Sequence, residues 1–101
     1  MKIIKELSRQ MRGELMDAQR WANLAVLHKP TNITLARAYF EMANDEIKHA
    51  GLLHKEAVVL ISAEREKTQP PQWMLDMWAE EHEEFMELDA KAKYMLSMFA
   101  K

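Results

Sequence analysis

The chain has 101 residues, a formal net charge of −2, 2 glycines, 3 prolines and no cysteine. This length allows one small domain with a modest core. The lack of thiols excludes disulfides, thiolate zinc sites, iron–sulfur centres and a rubredoxin-type iron centre. With no Lys/Arg cluster, the charge balance gives no case for nucleic acid. No apolar run approaches the ~20 residues of a membrane span. The start is charged at Lys2, Lys5, Glu6 and Arg9 and lacks signal-peptide character. A soluble cytoplasmic protein is the expectation. Scarce Gly and Pro, with abundant Ala, Leu, Met, Glu and Lys, predict an all-α fold of long helices.

The first helix is predicted over about 2–28. Ile4, Leu7, Met11, Glu14, Ala18, Trp21, Ala25 and His28 recur in steps of three and four, which makes one continuous face. Glu14 stands in that row among apolar neighbours. Lys29-Pro30 stops the helix, because the residue before a proline disfavours the α region. Thr31 or Asn32 can cap the second helix, predicted over about 32–67 and ~50 Å long at 1.5 Å per residue. One of its rows is Ala36, Phe40, Ala43, Ile47, Ala50, Ala57 and Ile61; the other is Tyr39, Met42, Glu46, His49, Leu53 and Leu60. Gly51 is expected to mark a place where another backbone comes close. Thr68-Gln69-Pro70-Pro71-Gln72 breaks the pattern. A third helix over about 73–100 carries Met74, Trp78, Glu81, Phe85, Leu88, Ala92, Met95 and Phe99 on one face. All 101 residues read as a single helical domain.

The motif that carries chemistry is Glu46-Ile47-Lys48-His49. A Glu and a His three apart project from the same side of a helix and can hold one metal ion. Glu14 lies 32 residues upstream of Glu46, and the midpoint is Pro30. An antiparallel hairpin about Pro30 therefore sets Glu14 level with Glu46, and Trp21 level with Tyr39. Burying unpaired carboxylates costs several kcal/mol, which a cation relieves. One chain offers three ligands, too few for two ions. A symmetric dimer offers four Glu and two His, the ligand set of di-iron carboxylate bundles. Three helices with wide apolar stripes favour such self-association, two hairpins making a four-helix bundle.

The stretch Glu14 to Trp21, followed by Tyr39-Phe40-x-Met42-Ala43-x-Asp45-Glu46-x-x-His49-Ala50, resembles the first two helices of the ferritin-like superfamily. The likeness is to its rubrerythrin and encapsulated-ferritin branches and covers Met11 to Ile61, about half the chain. Most such proteins carry two helix pairs; this chain carries one, like the encapsulated ferritins, which complete the di-iron centre by dimerising. The resemblance implies that Glu14, Glu46 and His49 are iron ligands, with Glu46 bridging the ions and Glu14 and His49 terminal. Trp21 stands where rubrerythrins often have Tyr. The activity implied is oxidation of Fe(II) with oxygen or peroxide. Iron is the implied metal and manganese its alternative. Without cysteine, a peroxide reductase would need a separate electron donor.

Glu81, Glu84 and Glu87 compete as extra ligands, and Glu87 is kept in reserve. Height argues against them, because the third-helix residue level with Glu46 is expected near Ala92. Their plainer reading is a solvated acidic face. His28, His54 and His82 read as helix-end or surface residues, and Trp73, Trp78 and Phe85 as core or interface anchors. The rival to the di-iron reading is a helical oligomerisation module, either metal-free or with a purely structural metal, whose buried charges set dimer register.

Overall fold

The computed structural model describes residues 2–101, and among them there are three α-helices and no strand. These are α1 (Lys2–His28), α2 (Ile33–Lys67) and α3 (Gln72–Ala100). The bounds follow from local chemistry. Asn32 caps α2, its Oδ1 accepting the Leu35 N–H at 3.1 Å. The Asn32 N–H donates to the His28 carbonyl at 2.8 Å, so the turn links the end of α1 to the start of α2. Pro71 opens α3 with its carbonyl accepting the Met74 N–H at 3.0 Å. A proline there loses nothing, since the first helical N–H groups have no intrahelical acceptor. No described helix is long and apolar enough to cross a membrane.

The helices run up, down and up in a rod 56 Å long and 17 Å across. The α1–α2 hairpin is its backbone. Ala36, Ala43, Ala50 and Ala57 of α2 and Ala18, Ala22 and Ala25 of α1 are all buried. Such short side chains let two helices approach closely, and Ile4, Met11 and Leu15 fill the wider part of the seam. No polar or charged side chain among the described residues is fully buried. The core is therefore held by apolar burial, worth roughly 25 cal/mol per Å².

Helix α3 lies parallel to α1, because its contacts advance together along both chains. Ser8 Oγ donates to Glu81 at 2.8 Å, Arg12 pairs with Glu84 at 2.8 Å, and Lys29 Nζ donates to the Phe99 carbonyl. The last contact places a cation at the C-terminal end of α3, where unpaired carbonyls favour it. Against α2, His54 meets His82 and Phe40 stacks on Phe99 at 4.7 Å. Between those two contacts Glu46 falls level with the Ala92 region, as expected from the turn at residues 68–71.

Two expectations need correction, and the tryptophans of α3 divide between the core and the surface. Glu81 and Glu84 are half-buried and bound to α1, so they are not a freely solvated face. Trp73 is 61% exposed while Trp78 is 5% exposed. Five residues along a helix turn a side chain by about 140°, so the two indoles cannot share one face. Gly51 has no atom within 4 Å of where a Cβ would stand, so no backbone approaches it closely. Gly51→Ala is accordingly expected to stabilise the protein by about 0.5–1 kcal/mol through helix propensity, read as a higher urea midpoint at unchanged slope.

Candidate metal centre

The hairpin brings the three sequence-predicted ligands together. Glu14 projects from α1 and Glu46 and His49 from α2, one ligand atom from each lying within 4.8 Å of the others. They form the one such group of three among the described residues. Pro30 sets the level: the turn of residues 29–31 has arms of equal length to the two acids. The same symmetry stacks Trp21 on Tyr39, with centroids 5.9 Å apart and planes 11° apart. The ring of His28 adds to Tyr39 at 5.9 Å.

The electrostatics at the centre are unfavourable in the absence of a cation. Glu14 Oε2 is buried and accepts no hydrogen bond from the protein. The His49 imidazole Nδ1 lies 3.5 Å from it, beyond hydrogen-bond reach. The Glu46 carboxyl is pushed up from 4.5 to about 7. The leading cause is its hydrogen bond to Glu14, which requires a proton, followed by burial and repulsion from Glu14 and Asp17; His49 works the other way. The Glu46 carboxyl thus resists losing its proton beside the other acids. This is the response of close carboxylates with too little positive charge.

Such a donor set suits a cation. Two carboxylates and an imidazole match iron, manganese or zinc, whereas a calcium site draws on oxygens alone. Adjacent donors on an octahedral ion at about 2.1 Å stand about 3 Å apart, so small side-chain rotations would close the group onto an ion. His49 is exposed, with 55% of its side chain accessible, which leaves the group open on one side. Glu87 is exposed and lies outside the group, while Glu81 and Glu84 are engaged with Ser8 and Arg12.

Sequence reasoning missed Asp17. It is exposed, three residues after Glu14 on the same helix, and adds negative charge to the centre. Its i,i+3 spacing from Glu14 was the available signal. The molecule is thus defined as an all-helical chain whose hairpin carries a carboxylate–imidazole cluster at mid-length. No known protein family matches it, and no curated protein or solved structure does either.

Proposed function

We propose that this chain is a ferritin-like di-iron carboxylate protein that oxidises Fe(II) with oxygen or peroxide, and that two copies complete its site. The observation carrying this reading is the convergence of Glu14, Glu46 and His49 around a buried Glu14 carboxylate oxygen. A second copy would double the ligands to four Glu and two His, enough for two ions. Support for that copy comes from the surface around the opening. Met42, on the α2 row of the ligands, is 40% exposed, and Leu52 and Val59, turned about 60–80° around α2 from His49, are 64% and 56% exposed. Exposed apolar side chains beside the opening are what a two-fold partner would cover.

Within this reading each residue has a definite task. Glu46, once deprotonated, would be the carboxylate shared between the two ions. Glu14 and His49 hold the outer positions. Iron held by these residues would supply the redox chemistry that reduces the oxidant. Buried Leu15 and Ala18 flank Glu14 on α1 and restrict water at the inner side.

A second reading is a helical association module with no metal. It is favoured by the Glu46–Glu14 proton, which relieves the repulsion without any ion. Elemental analysis, aerobic Fe(II) addition and size measurement distinguish the two. About one iron per chain, rapid oxidation and a dimer strengthened by iron are expected for a shared two-ion site. Bound metal without oxidation would reduce the site to a structural role, and an iron-free, oxidation-inactive dimer would establish the module.

A further inference from the structure

The joint between α2 and α3 holds a second group of metal-binding side chains. His54 Nε2 and His82 Nδ1 are 3.2 Å apart, their rings stacked at 5.2 Å between centroids. Phe85 lies flat against His54 at 4.4 Å, with planes 3° apart. It backs the imidazole and limits its rotation. Ser8, Glu81 and Trp78 line the same cleft.

We propose that His54 and His82 form a second cation site, for a late divalent ion that prefers nitrogen donors, joining α2 to α3. The spacing supports this: two imidazole nitrogens at about 2.05 Å from one tetrahedral ion stand about 3.3 Å apart. The hydrogen now shared between the rings is what the ion replaces. Zn²⁺, Cu²⁺ and Ni²⁺ favour such donors, while Mg²⁺ and Ca²⁺ favour oxygen. Both rings must be neutral to bind. Burial and the neighbouring His82 push His54 down from its ordinary range, against an opposing pull from Asp89. Exposed Glu80 and Glu83 flank His82 and raise the local concentration of cations. Water completes the coordination.

This site is separate from the hairpin centre. Five residues from His49 to His54 turn the side chain by about 140° and advance it about 7.5 Å, so the two histidines serve different faces of α2. Its consequence is mechanical. Helix α3 is anchored to α1 by ion-pair and hydrogen-bond contacts at Ser8, Arg12 and Lys29, and the histidine pair is its polar link to α2. An ion there clamps the third helix.

The test uses Zn²⁺ with the full chain carrying Glu46→Ala and His49→Ala, which removes the hairpin ligands. With Mg²⁺ in large excess, calorimetric titration is expected to show one Zn²⁺ per chain. The ring resonances of His54 and His82 should shift while those of His28 stay, and the melting temperature should rise. Adding His82→Ala, at an exposed position, should abolish all three responses with the helical circular dichroism unchanged. In the chain with its hairpin ligands intact, His82→Ala should remove one equivalent of Zn²⁺. Absence of saturable uptake in the first variant, or uptake that survives both His54→Ala and His82→Ala, overturns the proposal.

Discussion

Glu46→Ala is expected to abolish iron binding at the hairpin centre, lowering Fe(II) oxidation by at least ~100-fold, while Glu87→Ala leaves it unchanged. In the proposed dimer Glu46 is the shared one of three ligands from each chain, so its loss would remove donors from both ions. Glu87 is exposed and lies outside the group. Stopped-flow oxidation and metal analysis read both effects, and equal losses in the two variants would refute the assignment. The pH dependence has a definite sign. Because Glu46 holds a proton up to about 7, an ion must displace it below that pH. Affinity should rise about tenfold per pH unit between pH 5.5 and 7 and flatten above, with proton release on binding.

The metal-free protein should respond to pH in the opposite direction. Folding raises the Glu46 carboxyl from 4.5 to about 7, so the folded chain binds more protons than the unfolded one in that window. Stability from this group is full below pH 4.5 and is lost as the pH climbs through 7. Glu46→Gln should remove the loss. Urea unfolding of the metal-free chain at pH 8 would then show a gain on the order of 1 kcal/mol after solvent screening.

Leu15→Ala is expected to cost 2–5 kcal/mol, a large part of the ~5–15 kcal/mol that holds a domain of this size. Leu15 is 0% exposed and, with Ile4, is one of the two largest side chains fully enclosed. Its neighbours in the seam include Ala18 and Ala22, whose methyl groups cannot extend into the space left behind. Leu27→Ala, at a side chain 65% exposed, should change stability by less than ~0.5 kcal/mol. Paired urea titrations at one protein concentration decide the matter. Similar midpoints for the two variants would show that the hairpin core is not packed as described.

Helix limits and the convergence of Glu14, Glu46 and His49 were legible in the sequence because both depend on short-range rules. Pro30, Asn32 and Pro71 act within a residue or two of where they stand, and a hairpin about Pro30 sets Glu14 opposite Glu46 by counting alone. The lateral seat of α3 was not legible. Whether Glu81 faces water or Ser8 depends on which groove the third helix enters, and its acidic row reads the same in either case. The His54–His82 contact was hidden for the same reason: neither residue has a partner at helical spacing, and they meet only once α3 is in place. Trp73 and Trp78 read alike as anchors, and only their angle around α3 separates the exposed indole from the buried one.

The alanines of the hairpin have one more implication. On α2 they recur every seven residues, at 36, 43, 50 and 57, so α1 meets an identical surface after each slide of ~10.5 Å. Like a ratchet with uniform teeth, the interface fixes direction but not position. The stop is the short link at residues 29–31 together with the Trp21–Tyr39 stack, which select the notch in which acid meets acid.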